Sequence, residues 1–237
     1  MVKKFKIKIF ADGADITSIK ALNKKKYISG FTTNPSLMKK AGVKDYKKFA
    51  LSFLKLVPTK PISFEVFADN LNLMKKQAKE ISTWGKNVYV KIPITNSQGK
   101  KTIKIIKELS DEGIKLNITA ILTKEQIHQT IKALNKKTKS IISIFSGRIA
   151  DTGVSPEKII KYSIKKSKKK NIEVLWASTR ETYNIFEAEK LKVHIITVPH
   201  NILSKFNMLG MNLKKLSLNT VQSFLKDSIK AGFKIKI

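Results

Sequence analysis

Short apolar runs recur along this chain, separated by longer stretches in which apolar positions return every three or four residues. The runs predict strands over 5–10, 29–32, 62–67, 88–92, 115–118, 140–145, 173–177 and 194–198. Many are unbroken series of Val, Ile, Phe and Leu, the pattern of strands covered on both faces. The stretches between them read as helices. One is predicted over 37–56 and one over 70–84, with Asp69 as its cap. Thr123-Lys124-Glu125-Gln126 has the form of a capping box. Ser155-Pro156-Glu157 puts a serine at a helix N-cap and a proline in the first turn. A last helix is predicted within 216–237, ending in the short basic stretch 234–237.

Strands alternating with helices imply a parallel sheet, and eight such units imply a closed barrel. The expectation is an α/β fold, a single (β/α)8 TIM-barrel domain over 1–237 with a C-terminal helical extension. No Gly-rich dinucleotide fingerprint follows the first strand, which argues against a Rossmann fold. No linker or low-complexity tail divides the chain.

Composition narrows the chemistry. There are no cysteines, so disulfides, thiolate nucleophiles and Cys-based zinc sites are excluded. His128, His194 and His200 lack metal-ligand spacing. No run of about eighteen apolar residues is present, so no membrane span is expected. The N-terminus opens like a signal peptide, but Lys6 and Lys8 break its apolar stretch, and a first strand in a cytoplasmic protein is the expectation.

The net charge of +31 raises the possibility of a basic nucleic-acid-binding protein. Against it, the lysines are spread over the whole chain. The densest runs, 24–26 and 168–170, fall on expected helices and loops without interleaved aromatics. A more telling count is that only two of the 48 basic residues are arginines, Arg148 and Arg180. Arginine presents a planar fork that grips phosphate or carboxylate at two points, which lysine cannot do. The bland alternative for both is a structural salt bridge.

Barrel enzymes build their sites at the C-terminal ends of the strands. Reading those ends gives Asp12, Asn34, Glu65, Lys91, Asn117, Thr119, Ser143, Arg148, Ser178 and Arg180, polar groups from seven consecutive strands. Singly, each has an ordinary explanation: a helix cap for Asp12, a turn for Asn34 before Pro35, satisfied core polars for Glu65 and Ser143. Their convergence on one rim is harder to explain that way. Lys91 stands out, because it lies inside Val88-Tyr89-Val90-Lys91-Ile92-Pro93 and lysine is rarely buried without a partner or a task. A snorkelling strand-end lysine is one reading. The other is an amine that attacks a carbonyl. An ordinary lysine titrates at about 10.4, and presenting a neutral amine at about pH 7–8 requires about 4 kcal/mol, within reach of desolvation.

These residues carry a resemblance. Gly30-Phe31-Thr32-Thr33-Asn34-Pro35-Ser36-Leu37 resembles the GxTTNPSL motif of the transaldolase family, in its compact group with the fructose-6-phosphate aldolases. Val90-Lys91-Ile92-Pro93 resembles the family's Schiff-base strand. Lys115–Thr119, Ser143–Arg148 and Ala177–Arg180 are similar to three further motifs in the same order, and the likeness runs over about 7–210. The resemblance implies a transferase that moves a dihydroxyacetone unit between sugar phosphates in the pentose phosphate pathway, with no metal and no cofactor. It implies that Lys91 forms the imine, Asp12 handles the proton of the hydroxyl at the breaking bond, and Glu65 and Thr119 position a water. Asn34, Asn117 and Ser143 would hold the dihydroxyacetone part, and Arg148, Ser178 and Arg180 the phosphate. The implied partners are sugar phosphates and further copies of the chain, with no nucleic acid and no membrane.

The chain departs from the family pattern in Asp12-Gly13-Ala14, where members often have Asp-Thr-Ala, and at Ser146, a position that is commonly Val. The loop Thr95-Asn96-Ser97-Gln98 looks longer than in compact members. The nearest alternative is a fructose-6-phosphate aldolase-like enzyme on the same scaffold. Those relatives usually carry Gln at the position of Glu65 and Tyr at that of Phe145, and both residues here favour transaldolase.

Overall fold

The computed structural model describes residues 5–168 and 170–235. Lys169 of the second lysine run, the first four residues and the last two residues of the basic tail lie outside the described residues. Eight parallel strands close into a barrel in sequence order, as expected. They are β1 (Lys8–Asp12), β2 (Ile28–Thr32), β3 (Ile62–Glu65), β4 (Val88–Pro93), β5 (Leu116–Ile121), β6 (Ser140–Ile144), β7 (Ile172–Trp176) and β8 (Ile195–Pro199). β8 pairs back onto β1 from Lys8↔Ile195 to Asp12↔Pro199, which closes the ring.

The unbroken apolar runs have the cause the pattern implied. One set of side chains, including Val90, Ile92, Ile118 and Ile142, faces the surrounding helices. The other set, Phe10, Tyr89, Ile141, Leu175 and Ile195, fills the barrel interior. With both faces buried, polar alternation is lost.

The helices differ from expectation in three places. The stretch 37–56 is two helices, Pro35–Lys40 and Tyr46–Leu56. Asp45 splits them, because its side chain accepts a hydrogen bond from Lys48 N at 2.9 Å and starts a new helix. The helix Leu71–Thr83 is capped by Asn70, not Asp69. Asp69 instead accepts from Ser97 N (2.7 Å) and Ser97 Oγ (2.8 Å), pinning the loop after β4. In the helix Glu157–Ser167 the cap position falls on Pro156, with Ser155 Oγ accepting from Glu157 N at 3.3 Å, one residue off the expected placing. The capping box at Thr123 and Gln126 is present in both directions. The C-terminal extension is the helix Leu213–Ala231, begun by the Asn212 side chain, with none of its residues buried. No helix among the described residues is long and apolar enough to cross a membrane.

Candidate active site

Strand register assembles the site. Glu65 lies opposite Lys91, and Lys91 opposite Asn117, so three neighbouring strands deliver these side chains at one level of the barrel. A cavity of about 530 Å³ opens above them at the C-terminal ends of the strands, a size suited to a small organic ligand. All ten residues expected from the sequence line it.

Lys91 is 8% exposed. Its Nζ lies 3.0 Å from Glu65 Oε2 and donates to Thr33 O at 3.0 Å. The expectation of an amine in apolar surroundings is therefore corrected. Val90 and Ile92 turn outward to the helices, while Lys91 turns inward and its buried charge has a carboxylate partner. Glu65 is held from behind, where Tyr46 Oη donates to its backbone carbonyl at 3.0 Å. Beside Lys91, Asn117 Nδ2 donates to Ser63 Oγ (2.9 Å) and Ser143 Oγ donates to Asn117 Oδ1 (2.7 Å), all within the buried interior.

β5 shifts register between Ile118 and Ile121, and Ala120 takes φ 59°. This bulge aims the preceding residue, Thr119, whose hydroxyl is buried without a hydrogen-bond partner among the described residues. An unsatisfied buried hydroxyl costs about 1–3 kcal/mol, and Thr119 carries this one at the edge of the cavity it helps to line.

Asp12 ends β1 and does not cap a helix; Asp15 does that, accepting from Ser18 N at 2.7 Å. Asp12 Oδ1 accepts from Thr32 Oγ1 at 2.7 Å. Burial pushes its carboxyl above the usual aspartate range, against the pull of the Lys91 charge and the Thr32 bond. Asn34 lines the cavity and also caps the helix Pro35–Lys40, its Oδ1 accepting from Leu37 N at 2.9 Å. The ordinary and the functional explanations of Asn34 thus hold together.

The two arginines differ. Arg148 packs beside the Phe145 ring, 5.8 Å from its centroid. Arg180 is forked on Asp151, with Nε donating to Oδ1 at 3.2 Å and Nη2 to Oδ2. The loops that carry them interlock. Ser178 has φ 63°, and a Cβ added to Gly147 would lie 1.6 Å from Ser178 O. Only glycine allows this approach.

Four contributors escaped the sequence reading: Thr32, Ser63, Tyr46 and Thr197. Thr197 Oγ1 lies 2.5 Å from Thr32 Oγ1. It sits in β8, and the rule used for the other seven strand ends would have found it. No group of three or more His, Cys, Asp or Glu side chains placed to share a metal occurs among the described residues.

A barrel whose interior lysine, paired carboxylate and second acid meet at the C-terminal rim defines a class of aldol-type enzyme. The comparisons with known proteins are more specific. The family described as Transaldolase/Fructose-6-phosphate aldolase matches residues 9–236. A probable transaldolase of Thermoanaerobacter sp. is 34% identical over 231 residues, covering 97% of this chain and 100% of that protein. One of Dehalococcoides mccartyi is 36% identical over 199 residues, covering 83% and 88%. The chain belongs to the Transaldolase/Fructose-6-phosphate aldolase family of enzymes. Among solved structures, N-acetylneuraminate lyase from Mycoplasma synoviae superposes with a TM-score of 0.59 at 11% identity, covering 92% of this chain and 77% of that one. That likeness concerns the barrel fold alone.

Proposed function

We propose that this protein is a transaldolase that transfers a dihydroxyacetone unit between sugar phosphates through a Schiff base on Lys91. The observation that carries the reading is the buried Lys91 Nζ, 3.0 Å from Glu65 Oε2, on the floor of a cavity that Asp12 also lines. In this reading Lys91 attacks the ketose carbonyl and water leaves. Asp12 takes the proton of the hydroxyl next to the breaking carbon–carbon bond, and the bonding electrons move into the iminium. The aldehyde departs, an acceptor aldehyde enters, and the steps reverse. Glu65 and Thr119 hold the water of imine formation and hydrolysis; both residues line the cavity beside Lys91. Asn34, Asn117 and Ser143 hold the dihydroxyacetone oxygens.

Arg148, Ser178 and Arg180 bind the phosphate. Asp151 occupies Nε and one Nη of Arg180, and a guanidinium has five N–H donors, so donors remain for a ligand. The reading extends to a single domain over 1–237, a cytoplasmic enzyme of the pentose phosphate pathway and a homo-oligomer. The last is supported by the C-terminal helix, which exposes Leu218, Val221, Phe224, Leu225 and Ile229. The chemistry as drawn needs no metal or cofactor, because the iminium serves as the electron sink. The test is a coupled assay with fructose 6-phosphate. Aldehyde release that depends on erythrose 4-phosphate supports the transferase. Equal turnover without it would make the enzyme an aldolase.

A further inference from the structure

Asp12 has two oxygens with different surroundings. Oδ1 accepts from Thr32 Oγ1 at 2.7 Å, and Thr32 Oγ1 lies 2.5 Å from Thr197 Oγ1. Both hydroxyls are buried, at 3% and 6% exposure. The strands place them side by side, with Asp12 opposite Thr32 on β2 and Phe10 opposite Thr197 on β8. Thr179 Oγ1 donates to Thr197 O at 2.7 Å and steadies the end of β8.

Each threonine hydroxyl has one proton to give. Thr32 gives its proton to Asp12, so Thr197 must give its own to Thr32. The chain of donors runs one way and ends on Oδ1. Reversal would leave the Thr197 proton without an acceptor among the described residues. No described residue donates to Oδ2.

We propose that Thr197 and Thr32 are positioning residues that lock Asp12 through Oδ1 and so assign the transferred proton to Oδ2. The inference rests on the reading of Asp12 as the group that takes the proton of the substrate hydroxyl. As the carbon–carbon bond breaks, that proton passes to Oδ2 and the electron pair enters the iminium on Lys91. Oδ1 becomes the carbonyl oxygen of the neutral acid and still accepts from Thr32, so the chain need not reorganise during the step. Lys91 from β4 and the Thr32 hydrogen bond stabilise the carboxylate form against burial, while Glu65 from β3 acts in the opposite sense.

The test is the pH profile of kcat in the full-length protein for Thr32→Val, Thr197→Val and Thr197→Ser, with melting temperatures and borohydride trapping on Lys91. Removing the donor to Asp12 in Thr32→Val should move the acid limb up by about one pH unit and lower kcat about tenfold. Thr197→Val should do the same to a smaller extent, and Thr197→Ser should restore the parent profile. Imine trapping should survive in all three. An unmoved acid limb in both valine variants would overturn the inference, and so would a valine variant that loses trapping and melting temperature together. Asp12→Asn separates this from the reading beneath it. If that variant still cleaves normally, the role of Asp12 itself is lost. If it is inactive while the valine variants behave as the parent, only the hydroxyl chain is lost.

Discussion

The two ends of this barrel are an internal control for each other. Both open into cavities, about 530 Å³ at the C-terminal rim and about 770 Å³ at the N-terminal mouth. The mouth is the larger and the richer in lysine: Lys8, Lys86, Lys115, Lys139 and Lys170 line it, with Glu173 as the one acidic residue there, already paired with Lys8 at 2.7 Å. Its interactions are nonetheless of an ordinary kind. Lys115 Nζ donates to a backbone carbonyl, that of Lys86, and burial together with the Lys139 charge lowers its pKa. His194 is lowered by burial, with Glu173 opposing, and its Nδ1 accepts from Val174 N at 2.9 Å. The rim has fewer charges, but its polar groups meet one another: Lys91 with Glu65, Asn117 with Ser63 and Ser143, and Asp12 with Thr32, which in turn meets Thr197. Two non-glycine residues with positive φ, Ala120 and Ser178, also line the rim cavity. Neither volume nor net charge distinguishes the candidate site. Convergent, mutually bonded acid and base groups and strained backbone do.

The strongest way to break the comparison is to look for covalent chemistry at the wrong end. Lys91→Met should abolish both turnover and the borohydride-trapped three-carbon adduct, with the parent adduct mapping to Lys91 by peptide mass. The substitution also removes the ion-pair partner of the half-buried Glu65, so the adduct map of the parent is the decisive measurement. An adduct on Lys115 or Lys139 instead would reverse the assignment of the two ends.

How far the sequence told the two ends apart depends on what holds each residue. The barrel was legible because strands buried on both faces leave continuous apolar runs. Some strand ends were read short because the run stops where the polar rim residues begin, whereas the third strand, read over 62–67, ends at Glu65. The first strand, read over 5–10, pairs through Asp12, and the fifth, read to Ile118, pairs through Ile121 across a bulge. The candidate site residues were visible as polar groups at strand ends, but their bonding was not. The Thr197–Thr32–Asp12 chain joins residues 165 and 20 positions apart, and such contacts follow from barrel closure, not from local pattern. The departure at Gly13 has a plain physical reading. A Cβ there would meet nothing within 4 Å, so no close approach of the backbone requires glycine at this position.

The next test concerns the arginines. Arg148→Lys and Arg180→Lys keep the charge and lose the fork. Each should lower kcat/KM for phosphorylated donors about 10- to 150-fold, equivalent to one charge-assisted hydrogen bond of about 1.5–3 kcal/mol. Dihydroxyacetone should be affected much less. Arg180 supplies the sharper contrast, because its Asp151 pair is also a structural bridge. Equal losses on both donors with a lowered melting temperature would leave Arg180 as a structural residue only.

A smaller effect separates function from stability at Asp12. Burial raises its folded pKa above an unfolded value of about 3.9. For an acid raised on folding, the native state binds more protons than the unfolded state between the two values. Its favourable contribution is therefore present at low pH and is lost as pH rises through the folded pKa. At pH 7 the buried carboxylate should cost stability. Asp12→Asn should then raise the melting temperature at neutral pH by a few degrees while removing activity, with the gain shrinking as the pH falls towards 4. A melting temperature that drops at pH 7 would show that the Thr32 and Lys91 interactions outweigh burial.

The smallest effect is expected at the mouth, and there a near-zero result is the informative one. Lys115→Gln combined with Lys139→Gln removes two of the five lysines lining the larger cavity, neither of them paired with a carboxylate among the described residues. If charge concentration alone made a phosphate site, this variant should lose sugar-phosphate activity as the arginine variants do. If convergence makes the site, kcat/KM should change less than about twofold, and stability should stay within about 0.5 kcal/mol, the usual range for surface substitutions. Relief of the repulsion between the two ammonium groups would favour a slight gain, shrinking as added salt screens it. Binding to random duplex DNA completes the measurement, because the mouth gathers five lysines around one cavity. Salt-dependent binding abolished by the double substitution, with rim activity untouched, would give the N-terminal end a role of its own. A large loss of rim activity would instead mean that the two ends are coupled through the barrel, and the comparison would fail.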